Sequence, residues 1–185
     1  MISVAPAVRV VAERQIEERL GWTGTASRPV TTVRIWALHD LQFRATVEGH
    51  SFISDEPVAG GGQDAAPAPL RYFLAGVAMC HEVFCVKSAA LLDLQLDTLE
   101  SEIAGYVDRP AQDDPPDTAG FVRVTYALTV TSVHTDEQIR TIAHQAARRC
   151  PAFTTLAAAT PVEMRVTHNG NVIAERTYHG RPAAD

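Results

Sequence analysis

The segment FISDEPVAGGGQDAAPAPLRYFLAGVAMC, residues 52–80, predicts a strand, a loop and then a long helix. Its middle part is rich in Gly, Pro and Asp, a composition that neither a helix nor a sheet tolerates. Pro67 and Pro69 suit the first turn of a helix, because the N–H that proline lacks would be unpaired there. We therefore predict an exposed loop followed by a helix from about Leu70 to Leu92.

The predicted long helix is apolar on most of its circumference. Such a pattern is typical of a buried central helix rather than a surface helix. The apolar residues that cover it are Leu70, Phe73, Leu74, Val77, Ala78, Val83, Phe84, Val86, Leu91 and Leu92. A helix of this length could cross a whole small domain.

Upstream of the long helix, the sequence predicts one helix and three strands. Apolar residues at roughly helical spacing indicate an N-terminal helix over residues 8–20, which Gly21 would end. PVTTVRIWAL and QFRATV alternate apolar and polar residues around a turn at Asp40, and HSFIS adds a short third strand. We assign residues 1–28 to an N-terminal helical appendage with its linker, and residues 29–185 to the main domain.

Downstream of the long helix, two strands, a helix and a hairpin follow. TLESEIAGYVD and FVRVTYALTVTSV are the two strands. One face of the second strand is predicted to carry Val122, Val124, Tyr126, Leu128 and Val130. Thr135 and Gln138 have capping-box spacing at the start of the next helix, which should close before Pro151. A last hairpin turns at Asn169 and Gly170, so the whole order predicts an α+β fold with a mixed or antiparallel sheet.

Composition and charge exclude several classes of function. The chain has 185 residues, of which 46% are hydrophobic and 21% charged, as in an ordinary single globular domain. Its net charge of −6 argues against nucleic acid as a partner, because phosphate binding needs a basic surface. The N-terminus lacks the pattern of a secretory signal, and no segment is expected to span a membrane. We therefore expect a cytoplasmic protein without membrane contact.

The three cysteines are Cys80, Cys85 and Cys150, and an odd number argues against a structural disulfide framework. Two of them lie in GVAMCHEVFC, residues 76–85. Cys80 and Cys85 cannot pair within an unbroken helix, because five residues separate their Cα atoms by roughly 8–9 Å and a disulfide spans at most about 7 Å. Cys80 and Cys150 could be structural cysteines or a redox pair.

Cys85 and Cys150 allow further interpretations. Cys85 lies four residues after His81, so these two side chains could bind a metal with Cys150 as a distant third ligand. No fourth ligand is indicated, so we predict no metal site and interpret Cys85 as a small apolar residue of the core. Arg148 and Arg149 would favour the Cys150 thiolate, whereas the helix C-terminus would oppose it.

Two separated motifs resemble those of the OsmC/Ohr superfamily, the osmotically inducible protein C and organic hydroperoxide resistance proteins. Residues 52–80 look like its signature around the first cysteine, with a Gly-rich loop, a Pro-x-Pro helix start and small residues before Cys80. ARRCPAFTTLAAATPVEMRV, residues 147–166, is similar to its second-cysteine segment. The resemblance covers about residues 30–178. It implies an intertwined α+β homodimer with sheets wrapped around long central helices and a thiol site near the interface.

The resemblance also implies an activity. Family members with peroxidase activity reduce organic hydroperoxides, and the matching positions are Cys80 as attacking thiol and Cys150 as resolving thiol. The first thiolate becomes a sulfenic acid, the second thiol condenses with it, and a dithiol reductant reopens the disulfide. The expected partners are thus a second copy of the chain, an organic hydroperoxide and a dithiol reductant, and no cofactor is expected.

One departure from the family pattern concerns the activation of Cys80. Active members carry a glutamate nine or ten residues before this cysteine, which orients an arginine that lowers the thiol pKa, but Leu70 and Arg71 stand there. A thiol in an apolar pocket without a cation has a raised pKa and little thiolate. Arg44, or Arg71 acting across a dimer, could supply the cation. The alternative function is a family-fold dimer that has lost peroxidase activity and binds a small apolar or thiol-containing ligand.

Overall fold

The computed structural model describes residues 2, 4–21, 31–107 and 120–180. Its elements in chain order are α1 (Pro6–Leu20), β1 (Arg34–His39), β2 (Gln42–Val47), β3 (His50–Ser54), a 3-10 turn (Val58–Gly60), α2 (Pro69–Leu91), β4 (Thr98–Val107), β5 (Phe121–Thr131), α3 (Asp136–Arg149), α4 (Pro151–Ala159), β6 (Val162–His168) and β7 (Asn171–Tyr178). The α+β class predicted from the sequence is confirmed. The linker predicted before residue 28 lies outside the described residues.

The chain divides into two compact units, Trp22–Ala75 on the one hand and Met1–Gly21 with Gly76–Asp185 on the other. The first of these contains the antiparallel sheet β1-β2-β3. Its strands are joined by two-residue turns with positive φ angles, 45° at Asp40 and 84° at Gly49. The predicted turn at Asp40 is therefore confirmed.

The glycine-rich loop in this unit is folded around the carboxylate of Asp55. This buried side chain accepts hydrogen bonds from the backbone N–H groups of Gln63, at 3.2 Å, and Ala65, at 3.1 Å. Burial acts to raise the Asp55 pKa, but these N–H groups outweigh it and hold the pKa below its ordinary value. A Cβ atom at Gly62 would lie 1.9 Å from the Glu56 carbonyl oxygen, so only glycine fits there. The loop therefore has a structural reason for its composition.

The other unit contains a four-stranded sheet in the order β4-β5-β6-β7. Because β5 and β6 are parallel and the other pairs antiparallel, the sheet is mixed, as predicted. Val124, Tyr126, Leu128 and Val130 of β5 are at most 1% exposed. Val122 was expected on the same face but is 54% exposed, because it lies at a register shift of the β4–β5 ladder, where a bulge turns its side chain away.

Helix α2 begins and ends within one residue of its predicted bounds. One of its faces is buried and consists of Val77, Ala78, His81, Cys85, Ser88 and Ala89. The expectation that the helix is buried all round is wrong for the single chain, since Phe73, Met79 and Val83 are about half exposed or more. The apolar circumference therefore includes positions that this chain by itself leaves uncovered.

By length and composition alone, α2 is also long and apolar enough to cross a membrane, which corrects the expectation that no segment is. It is the one such helix in the described part of the chain. The core helix of a globular domain can satisfy the same criteria, since both are long and apolar. His81, Cys85 and Ser88 are buried against the rest of their unit, which is the behaviour of a core helix.

Helix α3 begins with the predicted capping box. The backbone N–H of Gln138 donates to Thr135 Oγ1 at 3.3 Å, and the N–H of Thr135 donates to Gln138 Oε1 at 3.0 Å. The sequence predicted no helix after Pro151, yet α4 starts at this residue. Proline at the first helical position ends one helix and equally well begins the next, because its fixed φ suits that position. The predicted N-terminal helix is confirmed as α1, in which only Ala12 is buried.

Candidate thiol site

Cys80 and Cys150 meet in the unit that contains both, although 70 residues separate them in the chain. Cys80 lies in the middle of α2 and is half-buried, whereas Cys150 joins α3 to α4 and is fully buried. Their Sγ atoms are 3.3 Å apart, and the Cys150 thiol donates to the Cys80 sulfur. A disulfide has an S–S length of about 2.05 Å, so the sulfurs would need to approach by only about 1 Å more.

The position of Cys150 differs from the sequence-based expectation. Besides following the C-terminus of α3, it is the N-cap of α4, and its Sγ accepts a hydrogen bond from the backbone N–H of Phe153 at 3.4 Å. Burial raises the pKa of the Cys150 thiol to about 12; the Phe153 N–H lowers it, and the contact with Cys80 raises it further. At neutral pH Cys150 is therefore a protonated thiol that donates to Cys80.

Cys85 belongs to the hydrophobic core cluster, which confirms its interpretation as a core residue. It is fully buried, and its Sγ lies 3.6 Å from Nδ1 of His81. Burial is the main cause that raises the pKa of its thiol, and Glu82 and Cys150 act in the same direction. Cys85 therefore carries its proton throughout the physiological range of pH.

His81 is a buried histidine in an aromatic surrounding. Its Nδ1 lies 3.1 Å from the Tyr126 hydroxyl, and its ring centroid lies 5.0 Å from that of Phe153. Its Nε2 has no hydrogen-bond partner among the described residues. Burial lowers the pKa of His81 to about 4, so the imidazole is neutral near pH 7.

The metal hypothesis receives no support from this geometry. His81 and Cys85 are in contact as their spacing predicted, but His81 presents the same nitrogen to Cys85 and to Tyr126. In the described ranges no group of three or more His, Cys, Asp or Glu side chains could hold a metal ion.

A polar chain around His81 is a feature that sequence reasoning missed. Glu82 accepts a hydrogen bond from the hydroxyl of Ser101 at 2.5 Å, and Ser101 in turn hydrogen-bonds with Tyr126, which contacts His81. These residues come from α2, β4 and β5. Only the pairing of the strands beneath the helix brings them together, so spacing along the chain could not reveal them.

The residues considered for activating Cys80 lie at the surface of their own unit. Leu70, which is 52% exposed, and Arg71 occupy the start of α2, whose first turn contains no acidic residue. Arg44 is an exposed residue of β2, paired with Trp36 of β1. A role for Arg44 or Arg71 in lowering the pKa of a thiol stays a prediction.

A second polar cluster lies where β5, β6 and α3 approach one another. Ser132 Oγ is 3.0 Å from His168 Nε2, and His168 Nδ1 is 2.7 Å from Asp136 Oδ1, an order of groups also found in hydrolase triads. Ser132 is only 5% exposed, and its backbone N–H and C=O are both bound by the Asn169 side chain. The cluster therefore joins the end of β5 to the last hairpin and to α3.

The sequence around both cysteines matches a known protein family. A family model described as OsmC-like protein matches residues 61–165, more than half of the chain. The chain belongs to the OsmC-like family. Helix α1 lies outside the residues that the family model matches. No curated protein sequence matches the chain significantly.

Solved structures of other members of the family have the same fold. An OsmC-like protein from Mycoplasma pneumoniae is 17% identical, with a TM-score of 0.68 over 77% of this chain and 99% of its own. An organic hydroperoxide resistance protein from Legionella pneumophila is 18% identical (TM-score 0.57; 76% and 99% covered). Another from Elizabethkingia anophelis is 16% identical (TM-score 0.61; 77% and 100% covered). The predicted OsmC-like fold is thereby confirmed.

Proposed function

We propose that the protein is a thiol-dependent peroxidase that reduces organic hydroperoxides, with Cys80 as the attacking residue and Cys150 as the resolving residue. The observation that carries this proposal is the 3.3 Å contact between the two sulfurs. Membership of the OsmC-like family, with relatives named for organic hydroperoxide resistance, supports a redox role. Neither a metal nor an organic cofactor is required by this chemistry.

The proposed reaction has three steps. The Cys80 thiolate attacks a peroxide oxygen, so that an S–O bond forms, the O–O bond breaks and the alkoxide leaves as an alcohol after protonation. The Cys150 thiol then attacks the Cys80 sulfenic acid, which forms the disulfide and releases water. Finally, a dithiol reductant opens the disulfide by thiol–disulfide exchange and becomes a disulfide itself.

The environments of the two sulfurs support this division of roles. Cys80 is half-buried and can be reached by substrate, whereas Cys150 is fully buried. A thiol that donates to a neighbouring sulfur stabilises the thiolate form of that neighbour. Since burial raises the pKa of the Cys150 thiol to about 12, Cys150 keeps its proton at neutral pH, which suits the resolving role.

We propose further that the protein acts as a homodimer. On α2, Met79 is 61% exposed and Val83 is 49% exposed. In the three-stranded sheet, Ile35 is 66% exposed and Trp36 is 47% exposed. Large exposed apolar side chains of this kind mark protein interfaces. Light scattering should therefore give the mass of two chains, and the mass of one chain at micromolar concentration would contradict the dimer.

Mass mapping after oxidation tests the cysteine assignment directly. The reduced protein is treated with one equivalent of cumene hydroperoxide, digested without reductant and mapped. We expect a peptide linked through Cys80 and Cys150, with Cys85 still reduced. In Cys150→Ser, the Cys80 sulfenic acid has no partner and should proceed to sulfinic acid when peroxide is in excess. Two intact thiols at positions 80 and 150 after treatment would contradict the proposal.

A second candidate function is a ligand-binding protein of the same fold without peroxidase turnover. The observation that favours it is the start of α2, where Leu70 and Arg71 stand in place of the expected carboxylate. Titration of the native thiols with a chromogenic disulfide at neutral pH separates the two functions. Rapid reaction of one thiol per chain supports the peroxidase, and slow reaction of all three supports the binding protein.

A further inference from the structure

We propose that α1, the helix outside the family match, builds a binding site for a long-chain carboxylate. A cavity of about 440 Å³ lies between α1, the C-terminal half of α2 and the residues that flank Cys150. This volume falls within the range of small-molecule sites, roughly 300–1,000 Å³. All of its lining residues belong to the same compact unit.

The cavity has an extended apolar wall. Its apolar lining is formed by Ala12, Ile16, Leu20, Phe84, Leu91 and Pro151. Leu20, the last residue of α1, is 81% exposed. On the side of α1 the wall is aliphatic, so it suits a hydrocarbon chain.

The charged side chains of the cavity are all basic. Arg19 comes from α1, Lys87 from α2 and Arg149 from the end of α3, and no acidic residue lines the cavity. Three cations around one cavity give it a positive charge, although the chain as a whole has a net charge of −6. Lys87 also lies over the Phe84 ring at 5.1 Å, so charge and apolar wall adjoin. Such a site selects a ligand with an anionic head and an apolar body.

Helix α1 is only partly buried, and Val8, Val11 and Ile16 are of intermediate exposure. Only Ala12 of this helix is buried. Two exposed polar contacts also connect it to the rest of the unit: Arg9 forms an ion pair with Asp93, and Lys87 donates to Gln15 Oε1 at 2.9 Å. The cavity between α1 and α2 therefore remains open. A groove that is kept open and lined with cations has the form of a binding site.

A carboxylate is a head group that these cations can bind. The guanidinium groups of Arg19 and Arg149 can each donate two parallel hydrogen bonds to one carboxylate. Phe84 follows Cys80 by one helical turn and Pro151 follows Cys150 directly, so two lining residues are close in the chain to the thiol pair. Neither cysteine lines it, and the proposal therefore does not depend on peroxidase activity.

Isothermal titration of the reduced full-length protein with dodecanoate, below its micellar concentration, tests the site. We expect one dodecanoate per chain. Dodecan-1-ol has the same chain without the charge, and acetate has the charge without the chain; each should bind at least about tenfold more weakly. Equal affinity for dodecanoate and dodecan-1-ol would overturn the proposal, as would the absence of binding.

Substitution of the cations locates the binding. Arg19→Gln and Arg149→Gln should each raise the dissociation constant of dodecanoate about tenfold, since each removes charge-assisted hydrogen bonds. Arg14→Gln is the matched control, because Arg14 lies on α1, pairs with Glu18 and does not line the cavity. Repeating the titration in Cys80→Ser keeps the result separate from the thiol chemistry. Unchanged affinity in both cation variants would overturn the proposal.

Discussion

Cys80 and Cys85 lie five residues apart on α2, in the same apolar stretch of sequence, but their surroundings differ. Cys80 is half-buried, and its sulfur lies 3.3 Å from that of Cys150. The sulfur of Cys85 is fully buried and 3.6 Å from a neutral imidazole, that of His81. Cys80 is thus a partly exposed residue with a thiol partner, whereas Cys85 is buried and contacts an imidazole. Thiol chemistry is thus decided by what packs against each face of the helix.

The largest effect is expected from substitution of Cys80. Cys80→Ser removes the sulfur that we propose attacks the peroxide, so consumption of tert-butyl hydroperoxide in the presence of dithiothreitol should fall at least about a thousandfold. Cys85→Ser is the matched control on the same helix, and its rate should stay within about twofold of the original, because a buried side chain does not meet the substrate. Similar losses in both variants would contradict the distinction between the two thiols.

A second substitution removes the ring of Phe153, which packs against His81 on the buried face of α2. Phe153 is 1% exposed, and its ring lies 5.0 Å from that of His81 and 5.3 Å from that of Tyr178. Phe153→Ala should lower the free energy of unfolding by about 3–5 kcal/mol, measured by urea denaturation. Thr155→Ala, at an exposed position of α4, should change it by at most about 0.5 kcal/mol. A loss below about 1 kcal/mol for Phe153→Ala would contradict this packing.

The buried imidazole of His81, beside Cys85, should make the stability of the protein depend on pH. Because the pKa of buried His81 is lowered to about 4, the unfolded chain binds more protons than the folded chain between about pH 4 and the ordinary histidine pKa of about 6.5. Stability should therefore fall as the pH is lowered through this window. The total loss from this histidine is about 3 kcal/mol.

Thermal unfolding between pH 7 and pH 4.5 measures this effect. In His81→Leu the contribution of this histidine to the pH dependence should disappear, so that the melting temperature falls less steeply with decreasing pH. His50→Gln is the control, since His50 is exposed and should leave the slope unchanged. If His81→Leu kept the full slope, other groups would have to account for the acid sensitivity.

Much of the fold could be predicted from local patterns. The prolines before Leu70 and the apolar run after it located α2 within one residue, and Asn169 and Gly170, with φ angles of 48° and 84°, form the predicted hairpin turn. These signals are local, because turn and helix-start preferences depend on the backbone angles of a few neighbouring residues. They are therefore visible in a single sequence.

Other features could not be predicted because they depend on contacts distant in the chain. Pro151 was expected to end a helix, but it also begins α4, and this makes Cys150 an N-cap that receives the Phe153 N–H. Val122 was expected to be buried, but a bulge at the β4–β5 register shift exposes it. In both cases the local pattern is compatible with two structures, and packing against a neighbouring element selects one.

The sequence by itself determined the α+β class, the resemblance to the OsmC-like family and the two cysteine positions, because each depends on local composition and spacing. Only the tertiary structure decided that Cys80 and Cys150 touch, that Cys150 keeps its proton, and that α1 leaves a basic cavity beside α2. The physical reason is that proton affinity and ligand binding depend on burial and on charges within a few ångströms. Those neighbours are brought together from distant parts of the chain, in the case of the thiols from 70 residues away.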